Sequence, residues 1–131
     1  MLNLDTHILV LFLTGDLSSG EYRCITDQNL AISDIVLWEL AMLAGLGRLS
    51  MDFDDVEFRS FLRTLTVIPI SLEIARKSTQ LDFSSDPADE IIAATSVVQR
   101  IPLLTRDRRI RKSRMVPLAL DKALSLRSHE R

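Results

Sequence analysis

A chain of 131 residues amounts to one domain, long enough to bury a core without disulfides or structural zinc. Its inventory allows little of either, since Cys24 is the only cysteine and the two histidines, His7 and His129, lie at opposite ends. Hydrophobic residues at 47% and charged residues at 26% exclude a disordered chain, and sixteen basic against eighteen acidic residues leave any nucleic-acid contact to a local patch.

The longest unbroken apolar run, Ile8 to Leu13, has six residues against the roughly 20 that span a membrane. No membrane partner is expected. The first residues carry Asp5 and no Lys or Arg, the wrong start for a secretory signal, so a cytoplasmic location is expected.

Short apolar runs alternate with longer segments of helical period, which predicts an α/β domain with a parallel sheet. Met1–Leu4 reads as the first strand, and His7–Leu13, too apolar for the surface, as the helix after it. Ser18–Asp27 is polar enough for an outer helix. Leu30–Ser33 is the second strand, and Asp34–Leu46 follows as a helix apolar nearly all round apart from Glu39, hence hidden in a core or an interface. The acidic run Asp52, Asp54, Asp55 and Glu57 reads as solvated surface at the positive end of a helix dipole. The helix itself, Phe53–Leu65, sets Phe58, Phe61, Leu62 and Leu65 on one stripe and Arg59 and Arg63 on another. Thr66–Ile70 is the third strand, and Ser71 caps a helix running to about Leu81. Asp86-Pro87, an N-cap carboxylate followed by proline at the first helical position, starts a helix to about Arg100. Leu103–Thr105 and Val116–Leu118 are the remaining strand candidates. The domain is therefore expected to span residues 1–120, with 121–131 as a frayed tail that has lost the apolar periodicity.

Four carboxylates stand apart from the solvated ones. Asp5 closes the first strand, and in open parallel sheets ligands bind beyond the carboxyl ends of the strands. Asp107 lies two residues past Leu103–Thr105 and should reach the same edge. Glu39 interrupts an apolar helix, where it must snorkel, pair or bind a cation. Asp89 sits three residues after Asp86, which itself reads first as a plain N-cap. Singly, each has an ordinary turn, cap or dipole role. Gathered at one sheet edge, they would raise one another's pKa values unless a cation lay among them. All-oxygen ligands without a His/Cys cluster favour Mg²⁺ or Mn²⁺, and such a site can activate water for attack on a phosphodiester.

These residues resemble a known family. Leu-Asp-Thr-His at 4–7, Ser-Asp-Ile-Val-Leu-Trp-Glu-Leu at 33–40, the Asp86–Ser96 segment and Leu-Leu-Thr-Arg-Asp at 103–107 are similar, in order and spacing, to the PIN-domain nucleases, above all the VapC toxins of bacterial toxin–antitoxin pairs. The resemblance spans about residues 1–118. It implies a three-layer α/β/α fold with a parallel sheet of four or five strands, and metal-dependent endoribonuclease activity. By the same resemblance Asp5, Glu39, Asp89 and Asp107 fall on the family's catalytic acidic quartet, which gathers Mg²⁺ or Mn²⁺. Thr6, Asp86 and Thr105 lie beside it as outer-shell positions. It further implies a homodimer and a VapB-type antitoxin. One departure is Glu90, where many relatives carry arginine after the third acid.

Six of the sixteen basic residues lie between Arg106 and Arg114, around Asp107. Such a run is often only a solvated face, but its position makes Arg106, Arg108, Arg109, Arg111 and Lys112 candidate contacts to the RNA backbone. Base stacking is not evident, because no aromatic residue falls in the run.

Two other readings compete. An aspartate-based phosphoacceptor or phosphatase would want paired acids after the first strand, or Asp-x-Asp, whereas Asp5 is followed by Thr6 and His7. A PIN-like module that binds RNA or protein without catalysis would be expected to lack one of the four acids, and all four are filled. His7 is expected to be packed or hydrogen-bonded, and Cys24 to be an unreactive thiol.

Overall fold

Leu2 and Leu4 of β1 (Leu2–Leu4) point to one side of the sheet and Asn3 to the other, and all three are buried, so this strand lies at the centre of the molecule. The computed structural model describes residues 1–120; the expected tail, 121–131, lies outside them.

After β1 come α1 (Thr6–Thr14), α2 (Ser19–Ile25), β2 (Leu30–Ser33), α3 (Ile35–Gly45), α4 (Val56–Thr64), β3 (Thr66–Ile68), α5 (Leu72–Ser78), α6 (Pro87–Gln99), β4 (Leu103–Leu104) and α7 (Arg108–Arg111). The four strands are all parallel, in the order β3-β2-β1-β4, with helices packed on both faces. This is the expected three-layer α/β/α arrangement. Strand order reverses between β1 and β4, because β2 and β3 build outward on one side of β1 and β4 on the other. That reversal opens a crevice at the carboxyl ends of β1 and β4.

One face of the sheet presents Leu2, Leu4, Ile32 and Leu104 to a core that includes Ile8 and Leu9 of α1, Phe58 of α4 and Ile110 of α7. The other carries Ala31 and Ile68 against Ile74 of α5 and Ala94 of α6. Asn3 fastens α6 to β1: its amide donates to the Ile92 carbonyl at 3.2 Å and to the Ser96 hydroxyl at 3.0 Å. No helix among the described residues is long and apolar enough to cross a membrane.

Most departures from the sequence reading have local causes. Val116–Leu118 is not a fifth strand; it makes only a bridge from Leu118 to Leu103, since Pro117 has no N–H to extend the ladder. Pro69 likewise ends β3 at Ile68 instead of Ile70. Helix α5 stops at Ser78, short of Leu81, where the Ser78 and Thr79 hydroxyls turn back to the carbonyls of Ala75 and Arg76 at 2.6 and 2.8 Å. Helix α4 begins at Val56, three residues after Phe53, because the Asp55 carboxylate accepts from the Phe58 N–H and caps it there. Helix α2 ends before Asp27, and a capping box between Ser18 and Glu21 sets its start. Helix α1 begins at Thr6, with Asp5 as its N-cap, and ends on Gly15, whose φ of 77° suits a residue without Cβ.

Candidate metal and nucleic-acid site

The sheet register brings the first pair of acids together. Asn3 and Leu4 stand opposite Leu103 and Leu104, so Asp5 and Thr105 leave their strands side by side. The Thr105 hydroxyl donates to Asp5 Oδ2 at 2.6 Å, and Asp5 Oδ1 accepts from the Thr6 N–H at 2.8 Å. Thr105 Oγ1 in turn accepts from the Asp107 N–H at 3.0 Å, so one hydroxyl ties the ends of β1 and β4 to each other. Asp107 caps α7, its Oδ1 accepting from the Arg109 and Ile110 N–H groups. That short helix was not foreseen.

The other two acids come from helices. Half-buried Glu39 reaches inward from α3, and the Thr6 hydroxyl donates to its Oε1 at 2.5 Å. On an apolar helix this carboxylate therefore pairs rather than snorkels. Asp89 lies in the first turn of α6, the helix that Asn3 holds against β1, and its Oδ2 accepts from the Ser85 hydroxyl at 3.0 Å. Asp86 occupies the N-cap position, yet its exposed carboxylate makes no capping hydrogen bond, contrary to the plain-cap reading. It lies within electrostatic reach of Glu39.

The four acids feel one another. Burial pushes the Asp89 carboxyl up to about 6, and Asp5, Glu39 and Asp107 add to the rise by repulsion. Burial also raises Asp5, opposed by its hydrogen bonds to Thr105 and Thr6, with Asp107 adding repulsion. Glu39 is raised by burial, and further by Asp5 and Asp86.

Among the described residues no three His, Cys, Asp or Glu side chains stand close enough, as they are, to hold a metal ion. The donor set nevertheless fits a hard divalent cation: it consists of carboxylate oxygens alone, and Asp5, Glu39 and Asp89 are destabilised by burial and by like charge, both of which a cation would offset. Drawing the carboxylates together requires side-chain movement, which their mutual repulsion opposes until the charge is neutralised.

The basic run divides. Arg106 is taken up by Glu21, donating from Nε to Oε2 at 2.7 Å and from Nη2 to Oε1 at 2.6 Å. Arg111 donates to the carbonyls of Thr105 and Leu120. Arg109 reaches the Ser84 carbonyl at 3.4 Å. The exposed side chains of Arg108 and Lys112 make no hydrogen bond to other described residues. His7 is exposed rather than packed, and burial raises the Cys24 thiol, as suits an unreactive one.

Two partners escaped the sequence reading. Glu21 was visible only as half of a Ser-x-x-Glu capping box, and Ser85 carried no signal distinguishing it from a loop serine.

A parallel sheet of order 3-2-1-4 with carboxylates beyond its reversal point defines a PIN-like α/β fold, and comparison with known proteins agrees. The sequence profile of the PIN domain matches residues 3–114, and the chain belongs to that family. Among solved structures, a toxin–antitoxin complex from Klebsiella pneumoniae contains a chain 24% identical with a TM-score of 0.66, over 86% of this chain and 91% of that one. VapBC2 from Rickettsia felis, bound to a DNA fragment from its promoter, is similar at 21% identity and a TM-score of 0.66, over 91% and 98%. FitAcB from Neisseria gonorrhoeae is similar at 18% identity and a TM-score of 0.60, over 84% and 90%. No curated protein matches the chain.

Proposed function

We propose that this protein is a Mg²⁺- or Mn²⁺-dependent endoribonuclease that hydrolyses RNA phosphodiester bonds, acting as the toxin of a VapC-type toxin–antitoxin pair. The observation that carries this reading is the meeting of Asp5, Glu39, Asp89 and Asp107, from four distant segments, within electrostatic reach at the reversal point of the sheet. Membership of a family whose members are generally metal-using nucleases supports it.

Asp5, Glu39, Asp89 and Asp107 would hold the cation, with Asp86 beyond them. When bound, it would neutralise phosphate charge and lower the pKa of water. The chain's own groups do the aiming. Thr105 fixes Asp5, Thr6 fixes Glu39 and Ser85 fixes Asp89, each through a hydroxyl that donates to one carboxylate oxygen and leaves lone pairs for a ligand. Of the five candidates in the basic run, Arg108, Arg109 and Lys112 are available to RNA phosphates, whereas Arg106 and Arg111 serve the protein's own carboxylate and carbonyls.

An antitoxin partner is supported by the toxin–antitoxin complexes among the structural neighbours. An apolar cleft of about 280 Å³ between α3 and α4, lined by Leu37, Leu40, Phe53, Phe58 and Leu62, suits an apolar antitoxin segment. A homodimer is supported by the outward face of α3, where Trp38 and Met42 are 55% and 45% exposed.

Purified protein incubated with labelled RNA tests the enzymatic reading. Cleavage is expected with Mg²⁺ or Mn²⁺, none in EDTA, and a loss of orders of magnitude in Asp5→Asn and Asp89→Asn proteins that keep the native circular dichroism spectrum. Full cleavage by Asp5→Asn rejects the site; equal cleavage in EDTA rejects the metal.

A further inference from the structure

A second cleft opens between the end of α5, the 81–84 segment and the first turn of α6, the turn that also carries Asp89. Its volume is about 330 Å³, at the small end of the roughly 300–1,000 Å³ usual for ligand sites. Phe83 and Ile91 supply apolar wall, Ser78, Thr79 and Ser84 supply polar groups, and Glu90 adds a carboxylate. We propose that this cleft receives one unstacked guanine of the RNA and that Glu90 reads its Watson–Crick edge. The proposal rests on the nuclease reading of the neighbouring site.

Placement and chemistry both argue for it. Glu90 follows Asp89 in the first turn of α6, and Ser85 joins the two: its hydroxyl donates to Asp89 Oδ2 at 3.0 Å and its N–H to Glu90 Oε2 at 3.4 Å. A base in the cleft would thus belong to a nucleotide near the phosphate at the carboxylates. Arg109 also reaches the cleft's rim, donating to the Ser84 carbonyl at 3.4 Å, which brings a cation to the path of the backbone. Single-stranded RNA is commonly read through splayed bases set against aromatic side chains and hydrogen-bonded on this edge.

Guanine alone presents two adjacent N–H donors there, N1–H and the N2 amino group, matching the two oxygens of a carboxylate. Adenine, cytosine and uracil each place an acceptor beside their donor, which would set oxygen or nitrogen lone pairs against the Glu90 charge. The long contact from Ser85 occupies one acceptor site of about four, leaving both oxygens able to accept.

Two measurements on the whole chain test this. The ends of fragments cut from a random-sequence RNA pool should show guanine enriched roughly 10–100-fold at one fixed position next to the cut, and Glu90→Gln should abolish the enrichment, a ratio independent of overall rate. In amide NMR spectra of the metal-free protein, GMP should shift Ser84, Glu90 and Ile91 in the wild type but not in Glu90→Gln, and AMP should leave them in place. Cleavage indifferent to base, an enrichment that survives Glu90→Gln, or GMP shifts elsewhere overturn the proposal. If GMP binds as described while no RNA is cut, the base subsite stands and the nuclease reading falls.

Discussion

Thr105 does three jobs with few atoms. Its hydroxyl donates to Asp5, accepts from the Asp107 N–H, and its carbonyl accepts from Arg111. Thr105→Val keeps the shape and removes the hydroxyl, so RNA cleavage should fall by roughly 10–100-fold, the usual cost of losing a group that orients a metal ligand, with the native spectrum retained. Asp89 makes a different prediction. Its carboxyl is pushed from 3.8 up to about 6, so between those values the folded chain holds a proton that the unfolded chain has released. The folded state accordingly loses stability as pH rises through that window. At pH 7.5 in EDTA, Asp89→Asn should melt higher than the wild type, by about 1 kcal/mol after allowance for solvent screening, and the gap should close below about pH 4. Adding Mn²⁺ should raise the wild-type midpoint and leave Asp5→Asn nearly unmoved in the same melts. The four acids were legible because a carboxylate at a strand end or inside an apolar helix conflicts with its surroundings. Of their hydroxyl partners, Thr6 and Thr105 stood out only through the family resemblance, and neither periodicity nor spacing pairs Thr6 with Glu39, 33 residues away; Ser85 did not stand out at all, because a serine in a loop is common. The pairing of Arg106 with Glu21 was hidden for a related reason, since the two lie 85 residues apart.

At the scale of elements, that Glu21–Arg106 pair locks α2 to the segment leaving β4. The two-pronged contact with the guanidinium, with burial opposing and the Ser18 N–H assisting, holds the Glu21 carboxyl below its ordinary 4.5. Its contribution to stability is therefore complete above pH 4.5 and lost as pH falls through the lower folded value. Glu21→Gln should cost about 1 kcal/mol at pH 7 by chemical denaturation and progressively less below pH 4, because the neutral amide has no charge to lose. The parallel α/β pattern itself could be read from the alternation of apolar runs and helical periods, and β2 falls where expected, at Leu30–Ser33. The ends of other elements could not, because Pro69, Pro117 and the Ser78 and Thr79 hydroxyls terminate them through single bonds made or missing, which hydrophobic periodicity does not register.

Among the described residues, α3 exposes more large apolar side chains than any other helix. The reading in which both its sides are covered within the monomer fails: Val36 and Leu40 are buried, while Leu37, Trp38 and Met42 face outward. In the homodimer proposed above, Trp38→Glu should give a monomer by light scattering that keeps the native circular dichroism spectrum, since the ring is 55% exposed in the isolated chain, and its melting temperature should no longer depend on protein concentration. The β1–β4 pairing reaches further, into protein synthesis. It joins Asp5 to residues about a hundred positions later, so a ribosome adding about 5–20 residues per second needs several seconds between making the first half of the site and making the second. On the proposed nuclease reading, the nascent chain lacks a complete site during that interval, and a product terminated before Leu103 should cleave no RNA.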